Sequence, residues 1–118
     1  MVIADTSVWS RHLRFGDAQL ATLLRAGEVM MHPFIVVELA SRPLGKRDQL
    51  MELLGALPVA ERAEDEELLA LLERRELQGH GLGVVDLHLL ASALLTPAKL
   101  WTSDRRLAEV AASLDVGY

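Results

Sequence analysis

Cysteine is absent from the 118 residues, which excludes disulfides, thiolate zinc sites and cysteine nucleophiles and fits a reducing compartment. Basic excess is missing too. Twelve Lys and Arg face 17 Asp and Glu, for a formal charge of -5, the wrong sign for a chain that simply coats nucleic acid. No stretch reaches the roughly 18 uninterrupted apolar residues of a membrane span, and no basic n-region opens the chain. A cytoplasmic protein without membrane contact is expected. The four histidines, His12, His32, His80 and His88, form no H-x-x-x-H pair, so a histidine zinc site is not expected. Repeats and low-complexity tracts are lacking as well, which leaves residues 1–118 as one domain able to bury its own core.

What is present alternates between short apolar runs and helical patterns. Val2 to Ala4 reads as a buried strand, ended by Asp5, Thr6 and Ser7; helical spacing follows over 7–14 and again over 19–25, with Gly27 as the stop. Val29 to Met31 is a second strand. His32-Pro33 opens a helix carrying Phe34, Ile35 and Glu38, and the Pro43-Leu44-Gly45 turn leads to a helix over 46–57 with Leu50, Met51, Leu53, Leu54 and Leu57 inward. Pro58 to Ala60 is a short strand or connector. Residues 65–76 form an amphipathic helix preceded by a dense acidic window, Glu61 to Glu67, suited to a helix start. Gly79, Gly81 and Gly83 do not have phosphate-loop spacing and introduce the almost wholly apolar helix 84–95. Lys99 to Thr102 is a third strand, Arg105 to Ser113 a last helix, and Val116 to Tyr118 an added edge. Strands separated by helices predict an α/β protein with a mostly parallel sheet.

Four acids stand out because each is set against apolar sequence: Asp5, Glu38, Asp86 and Asp104. Each also has a plainer use. Asp5 and Asp104 can cap the helices that follow them, Asp86 can serve the positive end of its helix, and Glu38 can reach water at the edge of its stripe. Asp5 and Asp104 nevertheless repeat one pattern, strand, hydroxyls, acid, helix, and two such acids on parallel strands emerge at the same sheet edge. Converging carboxylates need a cation. Oxygen-only ligands favour Mg²⁺ or Mn²⁺, whose retained waters can attack a phosphodiester. Arg42, Lys46 and Arg47 either hold phosphates nearby or form a solvated loop. His80 could be a base or ligand, whereas His88 reads as structural.

D-T-S-V-W, the E-L-A helix after H-P-F, G-x-G-x-x-D and L-W-T-S-D-R-R-L together resemble the PIN-domain family, specifically the VapC-type toxins of bacterial toxin–antitoxin pairs. That resemblance implies a three-layer α/β/α sandwich over residues 1–118 and a Mg²⁺- or Mn²⁺-dependent endoribonuclease acting on structured RNA such as tRNA or rRNA. It implies Asp5, Glu38, Asp86 and Asp104 as the catalytic acids, with Asp5, Asp86 and Asp104 on the metal, and Thr6 and Ser103 as supporting hydroxyls. It further implies a homodimer, a cognate VapB-type antitoxin joined in a heterotetramer or larger assembly, and products with a 5′-phosphate and a 3′-hydroxyl. Arg11, Arg14, Arg42, Lys46, Arg47, Arg105 and Arg106 are the cations available for RNA or antitoxin. A non-catalytic PIN-like module that docks a partner through its helices is the alternative. A haloacid-dehalogenase-like phosphatase is set aside because Ser7 stands where it needs a second Asp.

Overall fold

The computed structural model describes residues 1–43 and 45–118; Leu44 of the expected turn lies outside them. Val2–Ala4 forms β1, with all three residues buried. Burial on both faces is what an uninterrupted apolar run without alternation predicts for a parallel strand. β2, Val29–Met30, and β3, Lys99–Trp101, flank it, both parallel to it, in the order β2-β1-β3. Ile3 pairs with Met30 on one side and Leu100 on the other.

Single-residue parallel bridges widen this sheet at both edges, Met31 to Val59 and Leu100 to Gly117. Met31 therefore pairs outward beyond β2, and the 58–60 segment, read as short strand or connector, and the expected edge at 116–118 each join the sheet through one bridge. The chain moves from β1 through β2 to the 58–60 segment, then crosses back over β1 to β3 and outward again. The reversal lies between β1 and β3. Right-handed crossovers put the connections of opposite direction on opposite faces, which produces the expected layers. α1 (Thr6–Phe15), α2 (Ala18–Arg25), α3 (Pro33–Ala40) and α4 (Arg47–Ala56) belong to the first leg, and α5 (Asp65–Arg74), α6 (Val84–Leu95) and α7 (Arg105–Ser113) to the return. Accordingly α1 packs on α3, while α5 packs on α6.

α6 is the central buried helix, with Leu87 to Ala93 continuously buried. Trp9, Ile35, Leu39, Leu90, Leu100 and Leu107 complete the closed core. Leu53 departs from the expected inward set at 41% exposed, and Leu69 on the amphipathic α5 is 65% exposed, because α4 and α5 bury a narrower stripe than their leucine content suggests. Helix ends also shift where the backbone turns left-handed. α5 stops at Arg74, ahead of Glu76 at φ 53°, and α4 starts after Lys46 at φ 53°. α1 begins at Thr6 and runs through Phe15 to Gly16 at φ 74°. Among the described residues no helix is long and apolar enough to cross a membrane.

Candidate active site

In open α/β sheets the crevice for chemistry lies beyond the strand carboxyl ends where strand order reverses, here past β1 and β3. Asp5 occupies that point. Its backbone N–H continues the ladder to Trp101 O at 2.9 Å, so the side chain is fixed relative to both strands. The residue is 8% exposed. Oδ1 accepts from the amides of Ser7 (3.0 Å) and Val8 (3.3 Å), capping α1, and from the Ser7 hydroxyl. Oδ2 accepts from the Thr102 hydroxyl.

Those two hydroxyls do more than satisfy Asp5. Thr102 Oγ1 accepts from Asp104 N at 3.0 Å, and Ser7 Oγ accepts from Ser103 N at 3.0 Å. Each hydroxyl thus donates to Asp5 and accepts from the β3–α7 turn. The first and last acids are locked to one another through protein hydrogen bonds. Asp104 caps α7 in turn, with Oδ1 accepting from Arg106 N (2.9 Å) and Leu107 N (3.3 Å). The expected supporting hydroxyls, Thr6 and Ser103, are displaced from that part: Thr6 is buried and makes no bond to Asp5, and Ser103 Oγ instead accepts from Arg11 at 2.8 Å. The reason is register. A cap at position Asp5 reaches the amides and hydroxyl two and three residues on, and Thr102 is the residue whose strand pairs beside β1.

Asp86 sits in the first turn of α6, where Oδ2 accepts from Gly83 N at 3.1 Å. The glycine loop before it lies against α7. Gly81 has φ 75°, a backbone conformation that favours glycine, and the Arg106 guanidinium lies over it. Glu38 is half-buried on α3, which packs on α1. Among the described residues no three Asp, Glu or His side chains form a group able to hold a metal ion. The expected convergence of the acids is therefore not drawn tight: Asp5, Asp86 and Asp104 each take N–H donors from a local helix start, which satisfies part of every carboxylate without a shared centre. The donor set still suits a hard divalent cation, because it is all carboxylate and nothing among the described residues donates to Asp104 Oδ2 or Asp86 Oδ1.

The cations divide by commitment. Arg11 bridges Ser103 and Asp17, with Nη2 3.0 Å from Asp17 Oδ2. The Asp17 carboxyl is lowered below its usual range by the Leu20 amide first and by Arg11. Arg42 donates to Ser10, Arg47 to the Ala40 carbonyl, and Arg105 pairs with Glu109 at 3.4 Å. Arg14 lies beside the Phe15 ring, and Lys46 holds the left-handed cap of α4. Arg106 covers Gly81.

His32 and His88 are core residues, with ring centroids 6.1 Å apart and Phe34 against both. His32 Nδ1 accepts from Phe34 N at 3.1 Å. His80 is exposed, and neither it nor His88 bonds to any of the four acids. Sequence reasoning missed Thr102 and the bonding role of Ser7. Its available signal was the matched spacing of hydroxyl and acid, Asp5-x-Ser7 and Thr102-x-Asp104.

A PIN domain family model matches residues 2–113. Over 108 residues the chain is 45% identical to Ribonuclease VapC32 of Mycobacterium tuberculosis, from both the CDC 1551 / Oshkosh and ATCC 25618 / H37Rv strains, covering 91% of this chain and 87% of the relative. The fold is similar to that in the crystal structure of PAE2754 from Pyrobaculum aerophilum, with TM-score 0.63 and 17% identity over 92% of this chain and 77% of that one. Strand order, the acid at the β1 switch point and a family match from the first strand through the last helix agree, and the chain belongs to the PIN domain family.

Proposed function

We propose that this chain, as one PIN domain over residues 1–118, is a cytoplasmic toxin of a toxin–antitoxin pair: an endoribonuclease that hydrolyses phosphodiester bonds in structured RNA such as tRNA or rRNA. The observation that carries the reading is the locked pair at the β1/β3 switch point, Asp5 joined through Thr102 and Ser7 to the turn that bears Asp104. The names of the VapC32 relatives support it. Asp5, Asp86 and Asp104 would hold Mg²⁺ or Mn²⁺, which when bound polarises a water and offsets charge on the phosphate. Glu38 is the carboxylate left to accept the water's proton. The water oxygen bonds to phosphorus, the bond to the 3′ oxygen breaks, that oxygen takes up a proton from solvent, and the products carry a 5′-phosphate and a 3′-hydroxyl.

The absence of a tight carboxylate group among the described residues favours one other reading, a non-catalytic interaction module. Antitoxin-free protein incubated with total tRNA and rRNA separates the two. The expected result is discrete cleavage with Mg²⁺ or Mn²⁺, none in chelator, and a melting temperature raised by either ion through linkage. A melting temperature blind to millimolar ion, together with intact RNA, would establish the module instead.

A VapB-type antitoxin and a second copy of the chain complete the proposed partners. Support for the dimer comes from α5, whose groove against α6 has an apolar floor including Ala70, Leu71 and Leu94, acids Glu66 and Glu67 at one end and Arg74 and Arg75 at the other. A two-fold pairing of α5 helices sets acid against base twice. Light scattering is expected to show a dimer that Arg74→Glu with Arg75→Glu dissociates and added Glu66→Arg with Glu67→Arg restores. A monomeric parent at high micromolar concentration would refute it.

A further inference from the structure

We infer that the cleft that α1 forms with Leu39, Arg42, Pro43 and Gly45 is a subsite for a single-stranded stretch of RNA, with Arg14 and Arg42 on its phosphates and the Phe15 ring against a base. This rests on the nuclease reading above and adds to it where the strand runs. The cleft measures about 760 Å³ and is lined by Ser10, Arg11, Arg14, Phe15, Arg42 and apolar neighbours, with no acid among the described lining residues. In a chain of net charge -5 that is a local reversal of sign, the electrostatic mark of a polyanion site. Its volume lies within the range of small-ligand sites.

Phe15 gives the cleft its second property. α1 ends at Gly16, and Phe15 just before it is 77% exposed, with the Arg14 guanidinium 5.8 Å from the ring centroid. An exposed ring beside an arginine offers stacking and charge together, the combination that binds unpaired nucleotides irrespective of sequence. Arg42 is steadied by its bond to Ser10 on the facing helix, so its charge is held over the cleft. Arg11 is excluded as a phosphate ligand because Asp17 already compensates it; it instead connects the cleft to the site by its bond to Ser103. From Asp5 to Phe15 the helix rises about 15 Å. A strand lying along α1 would therefore pass from the acids to the ring.

The test uses Asp5→Asn protein, which binds without cutting, and a short fluorescein-labelled single-stranded oligoribonucleotide read by anisotropy across a salt series. Arg14→Ala and Arg42→Ala are each expected to weaken binding and to reduce the salt slope by about 0.7. Phe15→Leu is expected to weaken it about tenfold with the slope unchanged, and Phe15→Trp to retain parental affinity. RNA affinity indifferent to Phe15→Leu, or slopes unchanged in the arginine variants, would overturn the subsite. So would an acidic amphipathic peptide that occupies the cleft and tolerates Leu at Phe15, since that marks a protein-docking surface. If wild-type protein fails to cut RNA while this binding pattern holds, the nuclease reading falls and the subsite stands; metal-dependent cutting with no such pattern gives the reverse.

Discussion

Asp5→Asn is expected to reduce RNA cleavage by about a thousandfold or more with the fold retained. Asparagine caps a helix about as well as aspartate, so α1 keeps its start at Ser7 and Val8. What is lost is the negative charge at the switch point. Its amide also presents N–H where the Thr102 and Ser7 hydroxyls donate to Asp5, which forces one hydroxyl to turn and loosens its hold on the β3–α7 turn. Removal of one charge-stabilising contact in a preorganised site costs roughly 3–4 kcal/mol of barrier, a factor of 10²–10³, and loss of cation affinity adds to that. Asp5→Ala removes the cap as well and should cost a further 1–2 kcal/mol, roughly, in stability. Thr102→Val, which keeps every carboxylate but removes the bridge between Asp5 and Asp104 N, is expected to fall between, about 10- to 100-fold down. Single-turnover cleavage with urea denaturation of the same samples checks all three. Full activity in Asp5→Asn would show that the switch-point acid is a cap and no more.

That intermediate expectation for Thr102 marks the boundary of what a sequence can display. Asp5 was visible because an apolar run stops abruptly at an acid, and Asp104 because it repeats the pattern. α6 was visible for the same reason, as an apolar stretch too long for a strand. Local signals of this kind survive folding. The bonds that make the site a unit do not have such signals, since Thr102 reaches Asp5 across 97 positions and Arg11 reaches Ser103 across 92. Only strand register decides which of several adjacent hydroxyls faces the carboxylate. The end of α5 was hidden for another reason: Glu76 takes a left-handed backbone without being glycine, so no punctuation residue announces the break, whereas Pro43 and Gly45 ahead of Lys46 mark the start of α4 to within one residue. The exposed leucines of α4 and α5 show a third limit, because periodicity counts apolar residues but not how wide a stripe the neighbouring elements cover.

Acid is expected to unfold this protein early, through His32. Its imidazole is fully buried and its pKa is pushed down to about 4 from 6.5 by burial first, then by the nearby charges of His88 and Arg62. His88 is lowered as well, by burial and Arg62. An unfolded chain protonates His32 near pH 6.5 while the native one resists until about pH 4, so the unfolded state binds more protons throughout that window. Stability contributed by the neutral ring is complete above pH 6.5 and drains as pH falls, at about 1.4 kcal/mol per unit, or up to about 3 kcal/mol in all. His88 shifts in the same direction and steepens the loss. Two features of the structure make the ring resist protonation: Nδ1 already accepts from Phe34 N, which a proton there would repel, and Nε2 is buried without a partner. His32→Asn supplies a cap oxygen to the same amide but does not titrate. Its denaturation midpoint should therefore be flatter than the parent's between pH 6.5 and 4, even if it is lower at neutral pH through lost packing on Phe34 and His88. Parallel pH profiles for the two proteins would assign the acid sensitivity to carboxylates instead. Because His32 is the cap of α3, the helix that carries Glu38, the same protonation should disorder α3, and with it the proposed part of Glu38, before the β1–β3 pairing is lost.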